Sequence, residues 1–126
     1  MRVLYIDDDR INALLFVETC RFAPGVEVET AASGAEALAL VAEWPPELLV
    51  IDLHLPDTTG YELLPALRAR LDAPALPAFL CTADDAETVG EPARRAGFDG
   101  CWGKPVDLKT VLAELARRTA PPAGTP

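Results

Sequence analysis

The distribution of apolar residues constrains this chain most. Three short unbroken apolar runs, Val3–Ile6 (VLYI), Leu48–Ile51 (LLVI) and Pro77–Cys81 (PAFLC), are separated by segments in which the hydrophobic period changes. Four or five apolar residues without alternation suit a strand buried on both faces, as in a parallel sheet covered by helices. Val26–Thr30 (VEVET) alternates and predicts a more exposed strand, while Gly100–Gly103 (GCWG) is a glycine-rich fifth candidate. Between the runs lie helix-period segments. Leu108, Val111, Leu112 and Leu115 recur at i, i+3, i+4, i+7, and Ile11, Leu14, Leu15 and Phe22 mark one side of a first helix that Pro24–Gly25 ends. Ser33-Gly34-Ala35-Glu36 and Thr59-Gly60-Tyr61-Glu62 fit the S/T-x-x-E capping box and start the second and third helices. A fourth helix near Ala86–Ala96 contains Gly90 and Pro92, so it is expected to be short, kinked or late-starting; Pro65 raises a milder form of that expectation for the third.

Five alternations of strand and helix predict a doubly wound α/β domain on a five-stranded, mostly parallel sheet, a three-layer sandwich. The domain is expected over residues 1–118, and residues 119–126 (TAPPAGTP) form a proline-rich tail or linker without periodicity, expected to be disordered. A length of 126 residues supports one domain with a core. The net charge of −9 argues against nucleic acid or an anionic membrane as a direct partner. No apolar run approaches the roughly 20 residues of a membrane span, and the first one stops at Asp7, as no secretory leader would. Three cysteines without CxxC spacing (Cys20, Cys81, Cys101) favour a reducing, cytoplasmic setting with free thiols, and the single histidine excludes a multi-histidine metal site. The arginine pairs 68/70, 94/95 and 117/118 each fall late in an expected helix, where they complement its dipole rather than form a binding patch.

In open α/β sheets, ligands bind beyond the carboxyl ends of the strands. Asp7 and Asp8 follow the first strand, Asp52 the LLVI run, Thr82 the AFLC run and Lys104 the GCWG segment. Three carboxylates, a hydroxyl and an ammonium are thereby expected on one rim. Hard oxygen ligands suit Mg²⁺, while the lysine and hydroxyl suit the oxygens of a phosphoryl group. Like charges at a strand end repel one another, so a divalent cation is expected to offset Asp7 and Asp8. Asp9 is expected to cap the first helix.

With IDDD at 6–9, LLVIDLHLPDTTG at 48–60, CTA at 81–83 and GKP at 103–105, the chain resembles the response-regulator receiver domains, the CheY-like phosphoacceptors of two-component signalling, from about Val3 to Leu115. The resemblance implies the flavodoxin-like strand order 2-1-3-4-5. It implies that Asp52 is the phosphoaccepting aspartate, and that Asp7, Asp8, Asp52 and the backbone carbonyl of His54 hold Mg²⁺ (or Mn²⁺). Thr82 then corresponds to the hydroxyl that turns inward on phosphorylation, and Lys104 to the lysine that pairs with the phosphoryl group, with a cis Lys104–Pro105 bond. The implied donor is a sensor histidine kinase or a histidine phosphotransfer domain. The implied protein is a monomer or weak phosphorylation-linked dimer, and the only chemistry it catalyses is its own phosphorylation and dephosphorylation. As a single histidine with no partner, His54 is not expected to be a phosphohistidine or side-chain metal ligand; its side chain is expected to be a surface group beside the site. Asn12 and the long LHLPDTTGYEL segment resemble receivers attached to hybrid sensor kinases, with a stand-alone relay protein as the alternative.

Two features depart from the family pattern. Cys101 stands where an aromatic residue usually precedes the lysine by three positions, and Val106 replaces the frequent aromatic after lysine-proline. Trp102, next along the strand, is expected to point to the opposite side. Two rivals are weighed against the receiver reading. An aspartate-nucleophile phosphatase often carries D-x-D, but position 54 is His. A degenerate receiver acting only as a docking module normally lacks one of the key residues, whereas this chain keeps them all. Phosphoryl uptake from a small donor separates receiver from docking module, and turnover of a generic phosphate ester points to the phosphatase.

Overall fold

The computed structural model describes residues 1–119. Its elements follow the expected alternation: β1 (Arg2–Ile6), α1 (Arg10–Cys20), β2 (Glu27–Ala31), α2 (Gly34–Val41), β3 (Leu48–Asp52), α3 (Gly60–Arg70), β4 (Ala78–Thr82), α4 (Ala86–Arg95), β5 (Gly100–Gly103) and α5 (Leu108–Thr119). All strand pairs are parallel, in the order β2-β1-β3-β4-β5. Every residue of β3 and β4 is buried, as their unbroken apolar runs require, while β2 at the sheet edge is half-exposed. Residues 120–126 of the expected tail lie outside the described residues. Thr119, read from the sequence as the first tail residue, ends α5 with its hydroxyl donating to the Leu115 and Ala116 carbonyls.

Successive strand residues face opposite sides, which divides the core in two. Val3, Tyr5, Leu48, Val50, Phe79, Cys81 and Trp102 pack with Phe16 and Cys20 of α1 and Val111 and Leu115 of α5. Leu4, Ile6, Leu49, Ile51, Ala78 and Leu80 pack with α2, α3 and α4. Cys101 lies against this second core and Trp102 in the first, stacked on Phe79 at 4.5 Å between ring centroids, so the expected opposition of the two side chains is met. Cys20, Cys81 and Cys101 are all free thiols.

The helix caps follow the sequence. Asp9, Ser33 and Thr59 accept hydrogen bonds from the first-turn amides of α1, α2 and α3. Two expectations need correction. The side of α1 marked by Ile11, Leu14 and Leu15 faces solvent, at 71%, 60% and 50% exposure, and Phe22 beyond the helix is exposed too. The stripe that packs on the core is the narrower one of Phe16 and Cys20, both buried, with Ala13 half-buried beside them. Helix α4 starts directly after its N-cap Asp85 and runs unbroken through Gly90 and Pro92 to Arg95, burying Val89 and Ala93. The late arginines are used locally: Arg94 and Arg95 pair with Glu91, Arg117 and Arg118 with Glu114, and Arg68 donates to the Leu76 and Gly97 carbonyls.

The loop after β3 is tied to α2 by one side chain. Asp57 accepts from Gly34 N and Ala35 N, both at 2.9 Å. A Cβ on Gly34 would meet Thr58 Cγ2 at 2.6 Å, so only glycine permits this approach. These two amide donors hold the Asp57 carboxyl below its ordinary value of 3.8. The group therefore contributes stability above that value and loses it as pH falls through the lower, folded value. Asp57→Asn is expected to lower the denaturant midpoint at pH 7, with the gap from the parent closing as pH falls below about 4. Parallel urea titrations check this; a gap that persists unchanged at pH 3 contradicts it.

Candidate functional site

Hydrogen bonding of the parallel ladder continues past the strand ends. Asp7 N donates to Ala31 O at 3.0 Å, Leu53 N to Cys81 O at 3.1 Å, and Lys104 N to Thr82 O at 2.9 Å. Strand alternation therefore persists to the rim, and places Asp7, Asp52 and Lys104 on the side of the sheet that carries α1 and α5. Lys104 Nζ lies 2.9 Å from Asp7 Oδ2 and 2.9 Å from Asp52 Oδ2. The carboxylates of Asp7, Asp8 and Asp52 each offer an oxygen within 4.8 Å of the others. Asp7 and Asp52 are buried and Asp8 is exposed. The structure thus brings together the three expected carboxylates and the lysine. The Lys104 ammonium lies between the two buried carboxylates and offsets their repulsion, and the third carboxylate reaches solvent.

Burial pushes the Asp52 carboxyl above the usual carboxylate range; Lys104 opposes this through its hydrogen bond and charge, and Asp7 adds to it. Burial pulls Lys104 down, but its hydrogen bonds to Asp52 and Asp7 outweigh that and hold it above its ordinary value. Oδ1 of Asp7 accepts from Asp9 N at 2.9 Å. Oδ1 of Asp52 accepts from His54 N at a long 3.4 Å. The carbonyl of His54 accepts no hydrogen bond among the described residues, leaving it free for a cation. A cluster of two buried carboxylates and one exposed carboxylate, all oxygen donors, fits a hard divalent ion.

Thr82 is buried at the end of β4, and its hydroxyl accepts from Asp84 N at 3.1 Å. The hydroxyl proton remains available to donate. The Lys104–Pro105 bond is cis, as expected. Gly60 sits against the site: a Cβ there would come within 2.9 Å of the Asp52 carbonyl oxygen and 2.8 Å of Leu80 Cδ1. The His54 side chain is a surface group beside the site, as expected. Its Nε2 lies 3.0 Å from Asp84 Oδ2, joining the loops after β3 and β4 by an exposed pair worth about 0–1 kcal/mol. One site residue escaped the sequence reading altogether. Tyr5 is buried in β1 and its hydroxyl donates to Asp7 Oδ2 at 2.9 Å. Burial, then Cys81 and Asp7, push its phenol well up, which keeps it a donor. The signal for it was available: two residues apart on one strand are on one face.

A family model for the response regulator receiver domain matches residues 3–116. The chain is 38% identical over 115 residues to the transcriptional regulatory protein KdpE of Mycobacterium tuberculosis, covering 90% of this chain and 48% of that one. It is 37% identical to the response regulator MprA of Mycobacterium leprae, covering 96% of this chain and 53% of the other. The chain spans about half the length of these curated relatives. Among solved structures, the chemotaxis response regulator CheY4 of Vibrio cholerae superposes with a TM-score of 0.81 at 29% identity, covering 92% of this chain and 96% of that one. A response regulator from Burkholderia pseudomallei, described as holding a phosphorylated aspartic acid, a calcium ion and citrate, gives 0.76 at 25% identity, covering 90% and 65%. The chain belongs to the response regulator receiver domain family, whose function is to accept a phosphoryl group in two-component signal transduction. Its fold is the CheY-like, flavodoxin-like one. No described helix is long and apolar enough to cross a membrane.

Proposed function

We propose that this receiver accepts its phosphoryl group on Asp52, with Mg²⁺ or Mn²⁺ held by Asp7, Asp8, Asp52 and the His54 carbonyl. The observation that carries this reading is the double contact of Lys104 Nζ with Asp52 and Asp7, at 2.9 Å each, beside the third carboxylate. The donor is a phosphohistidine of a sensor kinase or phosphotransfer domain. A carboxylate oxygen of Asp52 attacks its phosphorus; the O–P bond forms as the P–N bond breaks, and the departing imidazole nitrogen keeps the electron pair and takes up a proton from water. Attack needs the ionised carboxylate. Burial disfavours that form and Lys104 opposes the effect, so the lysine has a role before any phosphate arrives. Its ammonium and the free Thr82 proton then face the phosphoryl oxygens. A bound divalent ion supplies neutralisation of those oxygens as a Lewis acid. Water attacking the same phosphorus later regenerates Asp52 and releases phosphate, the only turnover proposed.

Ile11, Leu14 and Leu15 support the partner assignment, because they lie exposed on the helix that begins just after the acidic pair. Three free thiols support a reducing, cytoplasmic setting.

The metal assignment is tested by Asp8→Ala. Asp8 is exposed and makes no hydrogen bond or ion pair among the described residues, so its removal should cost the metal-free protein little or slightly stabilise it. The parent is expected to melt higher in millimolar Mg²⁺, by the linkage of binding to folding, and Asp8→Ala to lose that rise. An equal Mg²⁺-dependent rise in both proteins would overturn the ligand set.

A further inference from the structure

We propose that Tyr5 is a positioning residue of the metal site: its buried hydroxyl fixes the Asp7 carboxylate so that a defined lone pair is left for the cation. This rests on the reading that Asp7, Asp8 and Asp52 bind Mg²⁺. Tyr5 is 1% exposed in the core between the sheet and helices α1 and α5, among apolar residues that need no hydroxyl. A buried phenol requires a hydrogen-bond partner, and this one reaches along the strand to Asp7 Oδ2 at 2.9 Å. Its other polar neighbour, Cys81 Sγ, is 4.0 Å away and a weak partner. The ring is held in place by stacking on Phe16 of α1, with centroids 4.5 Å apart and planes 18° from parallel. The hydroxyl is therefore fixed by packing and not free to follow the carboxylate.

The acceptor capacity of Asp7 makes this consequential. A carboxylate offers about four lone-pair sites. Asp9 N takes one on Oδ1, while Tyr5 and Lys104 take two on Oδ2. The remaining free site is on Oδ1, the oxygen that neither Tyr5 nor Lys104 engages. Partners that orient a ligating group in this way typically contribute about 10–100-fold to metal affinity.

The experiment is Mg²⁺ titration by isothermal calorimetry of the parent, Tyr5→Phe and Cys81→Ala, each checked for folding by circular dichroism. Tyr5→Phe keeps the stacked ring and removes only the hydroxyl; it is expected to bind Mg²⁺ about 10–100-fold more weakly. Cys81→Ala, which disturbs the same pocket without touching Asp7, is expected to stay within about threefold of the parent. Affinity unchanged in Tyr5→Phe, or weakened equally in both variants, overturns the proposal. A parent that binds no Mg²⁺ overturns instead the metal reading beneath it. A measurement on the unmutated protein keeps the test open if a variant misfolds: with tyrosine labelled at the ¹³Cζ ring carbon, the Tyr5 resonance should move with Mg²⁺ at the calorimetric midpoint. A Tyr5 resonance that stays still at saturating Mg²⁺ contradicts the role.

Discussion

Asp52→Asn, incubated with acetyl phosphate and Mg²⁺, is expected to acquire no phosphoryl group, while the parent shifts on a phosphate-affinity gel. The amide retains the shape and burial of the carboxylate but lacks the charged oxygen that attacks phosphorus. Asp52 is singled out by position as well as chemistry. It ends the central strand β3, it is 5% exposed, and its Oδ2 is 2.9 Å from Lys104 Nζ. Asp7 shares that ammonium, but its oxygens are already engaged by Tyr5 and by Asp9 N, which leaves it a poorer nucleophile. Loss of labelling should be complete rather than partial, because Asp7, the other carboxylate in contact with Lys104 among the described residues, has three of its roughly four acceptor sites engaged. A phosphate shift retained in Asp52→Asn would remove Asp52 from its assigned role.

The second large effect belongs to Lys104→Ala. The ammonium is the one cation in contact with both buried carboxylates among the described residues, and its side chain is 14% exposed against 0% for Asp7. Deleting one member of a buried charged group leaves the others uncompensated, which costs more than the pair contributes when intact. Metal-free Lys104→Ala is expected to lose about 2–4 kcal/mol of unfolding free energy. Saturating Mg²⁺ should recover part of this, since a divalent ion can take over the neutralising role. Labelling on Asp52 should fall as well, because the carboxyl would lose the group that favours its ionised form against burial. Urea unfolding of parent and variant, with and without Mg²⁺, reads the first two effects. A metal-free midpoint equal to that of the parent would mean that the ion pairs are dispensable.

The rim could be read in advance because the strands are short and their ends are marked by a change from apolar to polar residues. VLYI ending at Asp7, LLVI at Asp52 and AFLC at Thr82 each place one polar side chain at the same edge of a parallel sheet. Strand alternation even contained Tyr5, two residues before Asp7, although its apolar neighbours made it look like core alone. Other features lay beyond local patterning. Two apolar stripes compete on α1, and it is tertiary packing against the rest of the core that puts Phe16 and Cys20 inside and leaves Ile11 and Leu14 out. Pro92 in α4 removes one amide donor and Gly90 adds backbone freedom, yet burial of Val89 and Ala93 suffices to hold the helix. The pairing of His54 with Asp84 joins two loops 30 residues apart in the chain, a matter of tertiary geometry. The roles of Asp52, Thr82 and Lys104 came from resemblance, since spacing alone shows only that polar groups gather there.

The most direct test of the central claim is to locate the phosphoryl group chemically. The parent protein, treated with acetyl phosphate and Mg²⁺, is reduced with borohydride, which converts an aspartyl phosphate to homoserine, then digested and analysed by mass spectrometry. The expected result is homoserine at position 52 alone, dependent on Mg²⁺ and absent when the donor is omitted. Homoserine at position 7 or 8 with position 52 unmodified, or no acyl phosphate at all in a folded, Mg²⁺-loaded protein, would contradict the account.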